Sequence, residues 1–244
     1  MSTESPRSRR ERPAKPALSR EGIVSAAVQI MRDEGLERVT MRRLAEELDT
    51  GAASLYVYVR NAGELRAAVL DELLAEVDLS PVAAEGDWQQ RLRSVLGSYL
   101  AVLMRYPALA RSALLDRPSG ARYLDLVEAV LALLHESGRV DDRTASWAVD
   151  LLLQVTTATG AEQATRRENP DDDSQWAALE FAVGHVDADR YPRIRAVGAE
   201  LLSGPGEARV EWALSVLNNG ILATPRDPSA EPNRKADTNS RSKE

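Results

Sequence analysis

Three consecutive small residues, Ala52, Ala53 and Ser54, follow the turn-forming sequence Asp49-Thr50-Gly51. Small side chains at the exposed start of a helix let its backbone come close to a binding partner. The edge of a base pair in the major groove of DNA is such a partner. The chemistry that this spacing favours is therefore contact with base edges, if the neighbouring elements hold the three residues outward.

Two short helices joined by a tight turn are predicted to position these residues. Thr40 is a suitable N-cap for a first helix over residues 41–48, which carries an apolar face. A second helix begins near Gly51 or Ala52 and buries Leu55 and Val59, which lie four residues apart. The turn between them tolerates left-handed backbone geometry. This layout predicts a helix-turn-helix, whose second helix enters the major groove.

A longer amphipathic helix is predicted before this motif, over residues 19–34, with Gly35 as its stop. The whole segment from Leu18 to Leu74 resembles the N-terminal domain of the TetR family of bacterial repressors. The matching points are Gly35-Leu36, Val39-Thr40, Leu44-Ala45, Leu55-Tyr56 with Tyr58 and Val59, and Glu64-Leu65. We call residues 19–66 the head, and the resemblance implies that the head binds DNA.

The resemblance also implies roles for single residues of the head. Arg42 is expected to reach a base or a phosphate, and Tyr58 and Arg60 to contact phosphate. Ser54 and Tyr56 are expected to hold the DNA backbone. The base-facing positions are occupied by Ala52 and Ala53, whose methyl groups can pack on a thymine methyl group but cannot form hydrogen bonds.

Three residues depart from the family pattern. Asp49 stands at the usual turn glycine, and Thr50 stands at the usual apolar residue after it. Ala62 occupies a position where a lysine often holds phosphate. The missing lysine indicates weaker electrostatic anchoring by the head, or anchoring from another part of the chain.

The first 18 residues are basic and contain three prolines. One interpretation is a disordered, solvated tail, and the other is an arginine arm that lies in the minor groove. The head has seven arginines and eight acidic residues, so it is not basic by itself. A basic arm would therefore add attraction for DNA that the head lacks. The candidate arm residues are Arg7, Arg9, Arg10 and Arg12.

Composition excludes several classes of function. The net charge of −7 argues against non-specific coating of nucleic acid, and the absence of cysteine excludes disulfides and thiol nucleophiles. No phosphate loop, HExxH motif or nucleophile elbow is present, so an enzyme is not expected. The run at residues 171–173, Asp-Asp-Asp, lacks the spacing of a calcium loop, and we expect neither a metal nor a cofactor. No apolar run is long enough to span a bilayer, which predicts a cytoplasmic protein.

The rest of the chain, residues 67–224, is predicted to be a larger helical domain, followed by a disordered tail at 225–244. The fourth helix, from Asn61 or Gly63 to about Val77, would be the lever between the head and this domain. The later helices are predicted over residues 87–105, 107–115, 119–138, 142–167, 175–184, 192–203 and 207–222. Leu124, Trp147 and Leu151 are among the positions predicted to face inward.

Two of these helices are candidates for a subunit interface. The resemblance implies that the helix at 142–167 and the last helix pair with their symmetry mates as a four-helix bundle. The last helix is apolar on more than one face, since Trp212 and Val216 flank its main stripe, so it needs cover on both sides. The small-residue run at 156–161 would allow close helix approach. The alternative is a buried core helix of a single chain.

An effector cavity between helices should be mostly apolar with a few placed polar groups. The candidate residues are Tyr99, Met104, His135, Trp147, Gln154, Thr157 and Trp176. Each has a plain alternative: methionine and tryptophan are often core residues, and His135 near a helix C-terminus can simply interact with the helix dipole. Gln154 is the best single candidate because a buried amide needs a partner.

The sequence therefore predicts an all-α homodimer with an N-terminal three-helix DNA-binding domain and a larger ligand-binding and dimerisation domain. We expect a repressor that a small-molecule effector releases from a palindromic double-stranded operator by changing the separation of the two heads. An activator of the same fold, or a helical adaptor that binds proteins, remains an alternative.

Overall fold

The computed structural model describes residues 17–116 and 118–227, so the arm residues Arg7, Arg9, Arg10 and Arg12 and the tail beyond residue 227 lie outside the described residues. The described chain is all-helical, which confirms the predicted fold class. Its α-helices are α1 (Arg20–Glu34), α2 (Met41–Glu47), α3 (Ala52–Leu55), α4 (Ala62–Leu73), α5 (Trp88–Arg105), α6 (Pro107–Ala113), α7 (Ala121–Glu136), α8 (Asp142–Glu168), α9 (Asp172–Gly184), α10 (Pro192–Val197) and α11 (Gly206–Ala223).

Side-chain caps fix where the helices of the head begin. Ser19 Oγ accepts a hydrogen bond from Gly22 N at 3.0 Å, and Thr40 Oγ1 accepts one from Arg43 N at 3.1 Å. Asn61 Oδ1 does the same for α4, accepting from Glu64 N at 2.8 Å. Each cap satisfies a backbone N–H that has no partner within its own helix. These local bonds explain why the starts of α1 and α2 can be derived from the sequence.

The turn between α2 and α3 is built on Asp49, not on Gly51. Asp49 has φ of +46°, whereas Gly51 has φ of −81° and an extended backbone. Aspartate tolerates the left-handed region better than most residues with a side chain. The residue that departs from the family pattern thus takes the unusual conformation itself.

The larger domain is organised around α5 and α8, which lie side by side with α6 and α7 packed against them. Gly160 permits this close approach, because a Cβ atom there would lie 2.9 Å from the Cβ of Leu103 on α5. The small-residue run at 156–161 thus packs α8 against α5 of the same chain. The close helix approach that the sequence predicts for this run is thus found within one chain, between α8 and α5.

Several predicted inward positions lie on the surface of the single chain. Leu124 is 59% exposed and Trp147 is 56% exposed, and Leu151 is also exposed. The buried stripe of α8 passes through Ala145, Leu152 and other residues instead. Helical periodicity could not separate this stripe from the neighbouring one, because both are apolar. In addition, α4 ends at Leu73 and continues as a tight 3-10 turn over Leu74–Glu76, so the predicted helix to Val77 is too long.

Candidate nucleic-acid interface and ligand cavity

Residues 52–60, which comprise α3 and the turn after it, have a buried side and an exposed side. Leu55 and Val59 are fully buried against the head core. Tyr56 is 51% exposed and Tyr58 is 36% exposed, and the small residues before them are exposed or partly buried. Of the predicted contact residues, the structure leaves all but Ala52 on the exposed surface: Arg42, Ala53, Ser54, Tyr56, Tyr58 and Arg60. Ala52 is half-buried.

Sequence reasoning missed Val57, which is 80% exposed between the two tyrosines. Val57 lies in the turn that directly follows α3, and its side chain is exposed, whereas Leu55 and Val59 on either side of it are buried. Its position two residues from both Leu55 and Val59 was the signal that could have placed it outward. A large apolar side chain so exposed within a helix-turn-helix is a candidate contact residue.

Every arginine of the head lies within 4.0 Å of a carboxylate. Arg42 pairs with Glu46 at 3.1 Å, and Arg60 pairs with Glu64 at 3.2 Å. The remaining pairs are Arg20–Glu64, Arg32–Glu76, Arg38–Glu34, Arg43–Glu34, Arg43–Glu47 and Arg66–Asp116. An exposed i,i+4 pair contributes only about 0.3–0.5 kcal/mol, so Arg42 and Arg60 can turn to a phosphate at small cost. The carboxylates nevertheless remain nearby and weaken the attraction for DNA.

A cavity of about 170 Å³ lies between α5, α6, α7 and α8. It brings together three of the predicted effector residues, Tyr99, Gln154 and Thr157. Gln154 is exposed, however, so the prediction that its amide is buried was wrong. Leu114 and Tyr123 are among the lining residues that were not sequence candidates. They come from the region where α6 ends and α7 begins, which no local pattern connects with α5 or α8.

A chain of hydrogen bonds determines which polar groups of this cavity donate and which accept. Thr157 Oγ1 lies 2.8 Å from Leu153 O, and it lies 2.7 Å from Tyr99 Oη. Because the threonine donates its single proton to the carbonyl, the tyrosine donates to the threonine. Burial raises the pKa of Tyr99 to about 12, so its phenol stays neutral. As the donor in this bond, Tyr99 keeps the lone pairs of its oxygen for a hydrogen bond from a ligand.

The other four predicted effector residues do not line this cavity. Met104 lines a groove between α5 and α11, and Trp176 lines a groove between α8 and α11. His135 is on the surface, where its Nε2 lies 3.2 Å from Asp142 Oδ1. Trp147 lies on the exposed face of α8, with the Arg226 guanidinium 3.8 Å from its ring centroid. Within residues 17–116 and 118–227, no three metal-ligating side chains come together.

Helix α4 is tied to the connection between α6 and α7 by two polar contacts. Asp71 Oδ1 accepts a hydrogen bond from Tyr123 N at 2.9 Å and so caps α7 from another helix. Gly120, the N-cap residue of α7, has no side chain to do this, and a Cβ there would lie 2.0 Å from Asp71 Oδ2. Arg66 also pairs with Asp116 at 2.8 Å. The same short region thus lines the cavity and holds α4.

A second group of contacts follows α4 at Glu76. Its carboxylate accepts from Arg32 of α1 at 3.1 Å and from the Tyr106 hydroxyl at 3.0 Å, and it pairs with Arg105 of α5. One carboxylate therefore connects the first helix of the head with the central helix of the larger domain.

The exposed faces of α8 and α11 form an apolar surface with a groove of about 670 Å³ between them. Trp212 is 71% exposed, and Trp147, Leu151 and Val216 are exposed beside the groove or along α11. An apolar patch of this size on a single chain indicates a protein interface. No helix in the described part of the chain is both long and apolar enough to cross a membrane.

Both halves of the chain match models of known protein families. The family model of bacterial regulatory proteins of the tetR family matches residues 23–69, and that of the tetracyclin repressor-like C-terminal domain matches residues 80–224. The repressor DrrR1 of Streptomyces coeruleorubidus is 31% identical over 218 residues, covering 87% of this chain and 80% of DrrR1.

Two crystal structures from Streptomyces coelicolor are similar over nearly their full length. SCO7704 has 52% sequence identity and a TM-score of 0.75, covering 88% of this chain and 100% of that one. ActR in complex with actinorhodin has 31% identity and a TM-score of 0.73, covering 85% of this chain and 97% of that one. The likeness therefore includes the head, α4 and the helices around the cavity.

Proposed function

Because the chain belongs to the TetR family of bacterial transcriptional regulators, it is a ligand-responsive repressor that binds DNA as a dimer, and we propose that its effector occupies the cavity beside Tyr99. The observation that carries this proposal is the double role of Tyr123. Its side chain lines the cavity, and its backbone N–H holds Asp71 of α4. A ligand that displaces Tyr123 disturbs the helix that supports the head.

The size of the cavity supports this coupling. Ligand pockets usually measure about 300–1,000 Å³, and this one measures about 170 Å³. An effector of ordinary size is larger than this volume, and we propose that it displaces part of the lining. Leu114 follows the short helix α6 and Tyr123 lies in the first turn of α7, whereas Tyr99 and Thr157 lie in the middle of α5 and α8. We therefore expect the connection between α6 and α7 to be displaced first.

The lining favours an aromatic effector that carries hydroxyl or carbonyl groups. The rings of Tyr99 and Tyr123 offer stacking surfaces, the Tyr99 oxygen accepts a hydrogen bond, and the amide of Gln154 can both donate and accept. ActR, which is 31% identical to this chain, has been crystallised with actinorhodin. Actinorhodin is therefore the first probe to use.

The proposed response is a change in the separation of the two heads. Operator binding requires two recognition helices about one turn of duplex apart, roughly 34–36 Å. If the effector binds better when the connection between α6 and α7 is displaced, it favours a state in which α4 has moved, and operator affinity falls by the differential affinity.

A spin-label experiment tests this response directly. The sequence contains no cysteine, so Ser25→Cys on the exposed face of α1 places one label in each subunit of the dimer. We expect actinorhodin to shift the distance between the two labels and to lower affinity for operator DNA measured by fluorescence anisotropy. Asp71→Ala should reduce both effects, whereas Glu72→Ala, which removes the neighbouring exposed acid of α4, should leave them intact. Equal responses of the two variants would contradict the proposed coupling.

The cavity itself is tested by two further substitutions. Gln154→Ala and Thr157→Val should weaken actinorhodin binding about tenfold, which corresponds to about 1.4 kcal/mol for the loss of one or two hydrogen bonds. Gln163→Ala, on the opposite side of α8, is the control. Binding that survives both cavity substitutions would place the effector elsewhere.

A further inference from the structure

The exposed surface of α3 and of the turn after it presents apolar groups where a base-reading helix often presents amides or guanidinium groups. Val57, in the turn that follows α3, is 80% exposed, and Ala53, four residues earlier within α3, is also exposed. The polar groups of this surface are the hydroxyls of Ser54, Tyr56 and Tyr58, which bond to phosphates or to several bases alike.

No side chain on this surface is clearly placed to form the bidentate hydrogen bonds by which proteins commonly recognise bases. Asparagine and glutamine, which read adenine, are absent from residues 40–60, and the two nearest arginines are each paired with a carboxylate. An arginine that turns to a phosphate fixes the position of the protein but carries no sequence information. Among the major-groove groups of the four base pairs, the 5-methyl group of thymine is the one that an exposed valine can recognise.

We propose that Val57, supported by Ala53, is a specificity-determining residue that reads thymine through its 5-methyl group. This inference rests on DNA binding by the head. It assigns to the operator a chemical requirement, a methyl group in the major groove of each half-site opposite Val57. Burying one methyl group against an apolar side chain changes affinity about fourfold.

The test uses operator duplexes in which single atoms are exchanged. An operator is first selected from a random duplex pool with the full-length protein. Each thymine is then replaced by uracil, which removes the methyl group and leaves the hydrogen-bonding groups unchanged. We expect about fourfold weaker binding when the contacted thymine is replaced in one half-site, and about 15-fold when both are replaced. A 5-methylcytosine·guanine pair at that position should bind better than a cytosine·guanine pair.

Val57→Ala links the effect to the residue. It should lower affinity for the thymine operator and should not lower affinity for the uracil operator at the contacted position, because the methyl contact is already absent there. Val197→Ala, which shortens an exposed valine on α10, should change neither affinity.

The outcomes separate this proposal from DNA binding itself. Specific binding with no loss at any uracil position, or an equal loss for Val57→Ala on both operators, would overturn methyl reading and leave the repressor function standing. A failure to select any specific duplex would contradict the DNA-binding function on which the proposal depends.

Discussion

At the residue scale, Gly120 shows how one missing side chain can hold two helices together. The Asp71 carboxylate occupies the space that a Cβ atom would need, and from there it caps the first turn of α7. A glycine N-cap contributes no side-chain oxygen, so the capping group comes from α4 instead. The contact therefore depends on how α4 and α7 lie relative to each other, and not on the sequence of α7 alone.

Gly120→Ala is expected to destabilise the protein by about 1–3 kcal/mol, because the added methyl group overpacks against the carboxylate and displaces a capping bond. Urea denaturation measures the free energy of unfolding. Gly97→Ala, at an exposed position of α5 with no atom within 4 Å of the new Cβ, should instead stabilise by up to about 1 kcal/mol. Similar effects of the two substitutions would show that Gly120 is not required for the contact.

At the element scale, carboxylates hold the helices of the head to each other and to α4. The pKa of Glu34 lies below its ordinary value, chiefly because the Arg43 side chain donates hydrogen bonds to it. The pKa of Glu64 is also lowered, chiefly because the backbone N–H of Arg60 donates to it. Both groups are therefore bound more favourably as carboxylates in the folded state than in the unfolded state.

The stability of the head should fall in acid for this reason. A carboxylate whose pKa is lowered by folding stabilises the fold above its unfolded pKa, about 4.5, and this contribution is lost as pH falls through the folded pKa. Denaturation curves between pH 7 and pH 3 should become less pH-dependent in Glu64→Gln. Glu37→Gln, which removes another acid of the head, is the control, and an equal flattening by both would contradict the assignment to Glu64.

The elements that follow from local sequence were predictable, and the features that need distant contacts were not. The caps at Ser19 and Thr40 lie within three residues of the N–H groups that they satisfy, so the starts of α1 and α2 could be derived. The exposure of Trp147 depends on where α11 lies, which periodicity along α8 does not contain. The same limit applies to Leu114 and Tyr123, which reach the cavity from a region far from Tyr99 in sequence.

At the scale of the whole molecule, we propose that the apolar faces of α8 and α11 pack against a second copy of the chain. Trp212→Glu should convert the dimer to a monomer in sedimentation experiments, because each of the two symmetry-related tryptophans loses roughly 2 kcal/mol of burial, or about 1,000-fold in dissociation constant together. Leu115→Glu adds the same charge at an exposed leucine outside α8 and α11 and should leave the dimer intact. A dimer that survives Trp212→Glu would place the interface elsewhere.

The basic N-terminal segment is expected to supply phosphate contacts that the head lacks. Deleting residues 1–16, which include Arg7, Arg9, Arg10, Arg12 and Lys15, should make the dependence of operator affinity on salt less steep. Each lost phosphate contact lowers the slope of log affinity against log salt by about 0.9. An unchanged slope in anisotropy titrations would favour the interpretation of a solvated tail.

The pairing of every head arginine with a carboxylate has a consequence for how the repressor finds its operator in a chromosome. Binding to arbitrary DNA depends almost wholly on phosphate attraction, and here each head arginine has an acid within 4.0 Å. A genome offers about 10⁶–10⁹ competing sites, so the weaker attraction of paired head arginines leaves more repressor free to search than unpaired arginines would. Few copies of the protein per cell would then suffice to keep its operator occupied, and a modest rise in effector would empty it.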